Sequence, residues 1–479
     1  MKRIVYSIVA MMLLAGTVTA RNIDADEALE AAVYYMQNNT DFTRFTARDY
    51  TLARTWMNDE LGVPSMYLFT TPAHGWIIMA ACTTMDPMVA FSDDSDFDTE
   101  NVPQQAEWWL EGYNSIVCEA QKRGRGVDNE KWLALENHSL KSSTKDTRVV
   151  LTRVRWGQGN DKGNTYNMYC PQINGVYCVT GCVATAMAQL CYYYKYPKQP
   201  TGFVGYTTAN TYLSLRLHDS VPFDYSIMPE RVYSAQTSPE AKREVARLSY
   251  YIGVASKMSY GTNAQGGSGA YTPNAVSAMA TNFKYKNGEI VTRGYVSEST
   301  YMSRLRGELE KGYICYMNGT SPVGEGNDAG GHAWLVCGYR TDDEDQYYMN
   351  WGWDGTSNGF YNLGKNDMPI ESQGYNFIEH QGYVVGLVPP ADSIVGIREV
   401  ETDNAALGSA YPNPATVSVE LPYSTVSAAE LTVYSVDGRK VSTKTVQPGS
   451  GSVRLDVASM PAGIYIYRMG NAYGKFVVK

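Results

Sequence analysis

From residue 408 to 479 the chain reads as short alternating strands, split by turns at Asp437-Gly438, Pro448-Gly449 and Pro461-Ala462-Gly463. No helical period interrupts them, which specifies a small antiparallel sandwich. Upstream the period changes. Residues 149–390 alternate helices and strands with Gly-rich loops, and residues 21–123 begin and end with a helix around a set of short strands. Such changes of period, in 479 residues, imply roughly three folding units of ~100–200 residues each.

The N-terminus sets the compartment. Met1-Lys2-Arg3 precedes an apolar run from Ile4 to Ala15, and Thr17-Val18-Thr19-Ala20 supplies small residues for cleavage after Ala20. This is the pattern of a secretory signal peptide. The run is shorter than the roughly 20 apolar residues a membrane span needs. No transmembrane segment is expected elsewhere. A polar stretch from Arg123 to Asp146, with Lys141, Lys145 and Arg148 at or just past its end, reads as an exposed linker open to proteolysis. A second polar linker covers Asp392 to Leu407. The expected division is therefore 1–20 signal peptide, 21–148 propeptide, 149–396 central domain and 397–479 linker with sandwich.

Net charge is -9, and it is unevenly spread. Residues 21–148 alone carry 11 basic and 21 acidic residues, net -10. A chain with no basic block is unsuited to nucleic acid or anionic membranes. The acidic segment is expected to aid solubility. Cys82, Cys315 and Cys337 lie in apolar runs and read as packed thiols. Cys170 and Cys178 flank a Pro/Gly loop and could pair. Cys170, Cys178, Cys182 and Cys191 lack the spacing of a structural zinc site, so no metal is expected.

Four strings carry chemistry together. In Thr180-Gly181-Cys182-Val183-Ala184, a Cys opens a helix, where unpaired N–H groups and the macrodipole favour thiolate. Gly181 leaves room for a substrate backbone. In Gly330-Gly331-His332-Ala333, a His starts an apolar strand after two glycines that suit a ligand chain. A thiolate nucleophile needs such an imidazole partner on a separate element. Asn350-Trp351-Gly352-Trp353 offers Asn350 to orient that imidazole and Trp351 to shield it. Trp156-Gly157-Gln158 offers the Gln158 amide, with the Cys182 N–H, to a developing oxyanion. Gly261, Gly266, Gly267 and Gly269 make the segment from Tyr260 to Tyr271 a mobile loop by composition.

The order Gln, Cys, His, Asn resembles that of papain-like peptidases. The strings Trp156-Gly157-Gln158, Gly181-Cys182-Val183-Ala184-Thr185-Ala186, Gly330-Gly331-His332-Ala333 and Asn350-Trp351-Gly352-Trp353, with Met258-Ser259-Tyr260-Gly261, closely resemble the streptopain family of bacterial cysteine peptidases. The resemblance implies an α+β papain-like domain with Cys182 as nucleophile, His332 as general base and acid, Gln158 as oxyanion donor, Asn350 orienting His332 and Trp351 covering the pair. It further implies broad endopeptidase action on proteins and peptides without a cofactor, and substrate contacts at Gly181, Gly267, Gly330 and Gly331. Residues 21–140 resemble a streptopain-type propeptide through His74-Gly75-Trp76-Ile77 and Trp109-Leu110-Glu111-Gly112-Tyr113, implying an α+β intramolecular inhibitor. Ala410-Tyr411-Pro412-Asn413-Pro414 and Met460-Pro461-Ala462-Gly463-Ile464-Tyr465 resemble the type IX secretion sorting domain of Bacteroidetes. That implies the type IX machinery as a partner and a secreted or cell-surface location in a Gram-negative bacterium. Competing readings are a Cys-His acyltransferase or transglutaminase, and a non-catalytic surface binding protein with a peptidase shell.

Overall fold

The computed structural model describes residues 20–479 except 125, 140–146, 209–211, 217–220, 234, 321–330, 365–380, 392–405, 409, 426–427, 436–438 and 470–471. The signal-peptide run, Gly330 and the other two catalytic-side histidines, His218 and His380, lie outside the described residues. No described helix is long and apolar enough to cross a membrane.

The first unit opens with α1 (Ala25–Asn39). Asp24 caps it by accepting from the N–H groups of Asp26 and Glu27, and Glu27 reaches back to the Asp24 N–H. Four antiparallel strands follow: β1 (Thr51–Asn58), β2 (Val63–Thr71), β3 (Gly75–Ala80) and β4 (Met88–Ser92). The helices α2 (Gln104–Arg123) and α3 (Glu130–Glu136) complete it. The α3 helix falls in a stretch whose polarity predicts only a linker. Trp132 and Leu135, both buried, hold it down, and Lys131 bridges Asp86 and Asp343. Two buried apolar side chains and one bridging cation outweigh a polar composition here.

The central unit runs through β5 (Arg148–Val150), the hairpin β6 (Gln172–Ile173) and β7 (Val176–Tyr177), α4 (Cys182–Tyr194), the hairpin β8 (Phe203–Thr207) and β9 (Tyr212–Arg216), α5 (Pro239–Ala255) and α6 (Thr272–Thr281). It continues with β10 (Glu289–Thr292), α7 (Glu298–Glu310), β11 (Cys315–Thr320), β12 (Gly331–Arg340), β13 (Gln346–Asn350), β14 (Gly359–Asn362) and β15 (Gln381–Val385). Its strands form the order β14-β13-β12-β11-β15-β10, with β5 added beside β12. The first unit extends this same sheet, because β4 pairs with β14 through Phe91↔Phe360 and Ala90↔Tyr361. The two units therefore share one sheet, and they also share one apolar core running from Ile23 to Leu387.

The last unit stands apart. Strands β16 (Ala406–Leu407), β17 (Ser418–Thr425), β18 (Ala429–Ser435), β19 (Lys440–Val446), β20 (Gly449–Asp456), β21 (Gly463–Met469) and β22 (Ala472–Val478) form two sheets, β16-β17-β20 and β19-β18-β21-β22. They enclose their own core around Leu421, Val433, Tyr467 and Phe476.

Candidate active site

Cys182 is the first residue of α4, and Gly181 is its cap at φ +87°. That left-handed backbone suits glycine. A Cβ at Gly181 would also lie 2.8 Å from the Ser268 carbonyl and 3.0 Å from the Met258 sulfur. Glycine at 181 thus lets the segment around Ser268 pack closely against the start of α4. That segment is also tied down rather than mobile. Ser259 and Gly269 form a two-way backbone bridge, and the Ser268 hydroxyl donates to the Val179 carbonyl at 2.6 Å. Val179 N–H donates to the Gly261 carbonyl at 3.1 Å, and Gly267 N–H to the Thr262 carbonyl at 2.9 Å. Gly267 therefore sits in the loop that braces the strand leading to Cys182.

His332 lies near the start of β12, and Gly331 beside it is exposed. The backbone N–H of the next residue, Ala333, faces the Cys182 sulfur, which brings the nucleophile helix against the His strand. The electrostatics of the two side chains differ from a ready ion pair. Burial pushes the Cys182 thiol above its ordinary value, outweighing the N–H groups of Ala333, Val183 and Cys182 that pull it down. Burial likewise pushes His332 down to about 4. In this state desolvation opposes the thiolate that a helix start favours.

The first unit contributes to the cover over His332. Trp108 of α2 lays its indole against the imidazole, with ring centroids 4.9 Å apart. Its neighbour Trp109 is fully buried and meets Tyr361 of β14 at 4.9 Å. Two adjacent tryptophans thus divide the work: one joins the shared core and the other caps the imidazole. The sequence signal for Trp108 was an indole one step off the apolar face of its helix, which alone does not tell a plug from an ordinary surface aromatic.

Asn350 is buried at the end of β13, but its amide does not engage His332. Nδ2 donates to the Val154 carbonyl at 2.6 Å and to Gln189 Oε1 at 3.0 Å, and Oδ1 accepts from the Gly352 N–H at 3.1 Å. Trp351 is fully buried between Trp334 and Tyr361, each with its ring centroid 5.1 Å away. Trp334 lies two residues on from His332, on the same face of β12. Gln158 is buried and fixed by its carbonyl, which accepts from the Thr180 N–H at 2.9 Å, two residues before Cys182. The structure therefore gathers Cys182, the His332 strand and Gln158, and commits the Asn350 amide to Val154, Gln189 and Gly352. All eight cysteines are free thiols, Cys170 and Cys178 included.

The acidic loop after β4 also docks. Asp93 pairs with Arg148 at 2.6 Å, and Asp94 with Arg153 at 2.7 Å and Arg155 at 2.6 Å. The Ser357 N–H donates to the Asp96 carbonyl at 2.9 Å. Part of the negative charge of the first unit is thus matched to arginines of the central one.

Comparison with known proteins fits this geometry. Residues 156–361 match the model of the peptidase C10 family, residues 20–117 that of the Spi protease inhibitor, and residues 409–479 that of the secretion system C-terminal sorting domain. Streptopain of Streptococcus pyogenes serotype M1 is 25% identical over 420 residues, covering 81% of this chain and 99% of that protein. Residues 156–361 thus carry a peptidase C10 domain, that of the streptopain family. The chain is a cysteine-type endopeptidase with a papain-like domain, an inhibitor-like propeptide and an all-β tail. The thiol protease/hemagglutinin PrtT of Porphyromonas gingivalis is 24% identical over 417 residues, spanning 83% of this chain and 45% of that longer protein. A prointerpain A fragment of Prevotella intermedia shares the fold, with a TM-score of 0.56 and 24% identity over 71% of this chain and 99% of that one. The sorting domain marks the chain as secreted or cell-surface.

Proposed function

We propose that the chain is a secreted zymogen whose peptidase works through Cys182 and His332. The thiolate of Cys182 attacks a substrate carbonyl, and the Cys182 N–H and Gln158 amide stabilise the oxyanion. His332 protonates the leaving amine and then takes a proton from the water that hydrolyses the acyl-enzyme. The observation that carries this reading is the seat of Cys182 at a helix start, with its sulfur against the backbone beside His332. Proteins and peptides are the substrates, with an apolar preference next to the residue whose carbonyl is attacked, served by the loop around Gly267.

Residues 21–148 act as the inhibitor. Trp108 covers the imidazole, and with both groups buried neither a thiolate nor an imidazolium is favoured. Arg148 lies in β5, paired with Arg340 of β12. A maturing cut in the stretch holding Lys141 and Lys145 frees the inhibitor without separating that pair. Type IX export then delivers the chain, after removal of the signal peptide. To test the chemistry, the matured protein is treated with a thiol-directed electrophile and mapped by mass spectrometry. The expected result is one label at Cys182 with matching loss of casein cleavage. Undiminished cleavage by a fully labelled protein, or by Cys182→Ala, would remove Cys182 from the mechanism.

A further inference from the structure

The strand before the oxyanion donor is clamped from several sides by buried polar groups that the mechanism above does not use. Gln189 lies seven residues after Cys182 in α4, two turns down on the same helix face. It is fully buried, and its Oε1 accepts from the Trp156 N–H at 3.0 Å and from Asn350 Nδ2 at 3.0 Å. Its Nε2 has no partner among the described residues. A core Leu would leave no unpaired donor there, but it could accept from neither the Trp156 N–H nor Asn350 Nδ2. Asn350 reaches the same strand from the other side, through the Val154 carbonyl at 2.6 Å.

A second clamp grips Gly157, the residue directly before Gln158. The Tyr166 hydroxyl donates to Asp354 Oδ1, and the Gly157 N–H faces the phenol oxygen. A Cβ on Gly157 would lie 2.5 Å from Asp354 Oδ2 and 3.1 Å from the Tyr166 ring. Only a glycine lets the carboxylate and ring close on the strand. Burial shifts Tyr166 up, which keeps its hydroxyl protonated and able to donate, while the same hydrogen bond pulls Asp354 down against the burial that raises it. Beyond Gln158 the Thr180 N–H completes the hold. Every residue from Val154 to Gln158 thus has a backbone atom or its neighbour fixed, with Arg155 N–H on the Glu230 carbonyl at 2.6 Å.

We infer that Gln189 with Asn350, and Tyr166 with Asp354, are positioning residues for the oxyanion donor Gln158. This rests on the proposed role of Gln158. An oxyanion donor contributes only when it sits where the charge develops, and a misplacement of about 1 Å can cost up to ~100-fold. The two clamps also give Asn350 a role different from orienting His332: it links the Trp156–Gln158, Cys182–Gln189 and Asn350–Trp353 strings into one assembly.

The test uses enzyme matured from the full chain. Gln189→Met should lower kcat roughly tenfold with KM unchanged, and weaken a peptide aldehyde, which mimics the tetrahedral state, by a similar factor. Gln189→Glu, which keeps an oxygen acceptor, should recover most of both. Tyr166→Phe should act in the same direction, and it carries the test if Gln189→Met fails to fold. Combined with Gln158→Ala, neither substitution should cost anything further. Full additivity with Gln158→Ala, or loss confined to thermal stability, would overturn the positioning role. If Gln158→Ala itself leaves kcat and aldehyde affinity intact, the oxyanion reading fails first, and the positioning role falls with it.

Discussion

The propeptide and the C-terminal sandwich both flank the peptidase, yet they are attached in opposite ways. The propeptide adds β1 to β4 to the enzyme's own sheet through β14, and its apolar residues belong to the same core as those of the peptidase. The sandwich keeps its own two sheets and its own core. Shared burial couples folding, because apolar surface left behind by one part is exposed on the other. A separate core couples nothing. The first arrangement suits a segment that must shape and silence the enzyme, and the second suits an address that must be recognised whatever it is joined to.

The largest expected effect comes from cutting at each junction. A chain lacking residues 21–139 leaves the edge of β14 and the surface around Tyr361 uncovered, and its soluble yield on refolding should fall tenfold or more, with recovery when the propeptide is supplied separately. A chain lacking residues 409–479 should mature and cleave casein within about twofold of the full chain, since an independent core adds nothing across the junction. Equal yields from the two truncations, measured by soluble protein and active-site titration, would erase the contrast.

The next effect isolates the plug. Trp108→Ala opens the imidazole to water, so in the Cys182→Ala background His332 should titrate well above about 4, towards the ordinary value near 6.5, when followed by NMR. With Cys182 intact, thiol alkylation of the unprocessed chain should quicken roughly tenfold. The sign also predicts a pH response. The docked imidazole is held neutral, so this contact is complete above about pH 6.5 and weakens as pH falls towards 4. Asp345, pushed up to about 6 chiefly by burial, binds its proton more readily in the folded chain and works the other way. The His332 resonance, rather than overall stability, is therefore the readout. An unchanged titration in Trp108→Ala would remove the plug from the account.

Much of this was legible in the sequence, and the boundary of what was legible is physical. The start of α4 follows from Gly181 and a run of good helix formers, and the strand at His332 from its apolar run. Helix starts, strand runs and turns are local. The pairing of β4 with β14 joins residues some 270 positions apart through two residue pairs, and nothing local in Phe91 or Phe360 names its partner. The partners of Asn350 are hidden for the same reason. An amide's donors are evident from its type, but Val154 and Gln189 rather than His332 receive them only because of how three distant strings pack. The acidity of residues 21–148 was visible, but its use was not: Asp93 and Asp94 meet arginines that lie 55 to 61 positions on.

That charged seam predicts a smaller effect. Asp94 accepts from both Arg153 and Arg155 and is about a quarter exposed. Partial exposure screens the pairs, so Asp94→Asn should weaken docking by only ~1 kcal/mol and speed self-processing about fivefold at low salt. The gain should shrink in high salt, where the parent already docks less firmly. Processing that is indifferent to both the substitution and salt would show that the shared core alone holds the propeptide.

The smallest effect on activity tests the other half of the contrast. Phe476 is fully buried in the sandwich, stacked on Tyr465 with centroids 5.5 Å apart, and tilted against Tyr467 at 6.2 Å. Phe476→Ala should cost about 3–5 kcal/mol, as much as a core this small provides in total. The sandwich should then unfold by itself, removing one calorimetric transition and abolishing export. The remaining transition and the casein cleavage rate of the matured enzyme should not move. A merged transition, or a peptidase that falls with its tail, would mean the junction transmits stability after all, and the two attachments would differ in degree rather than in kind.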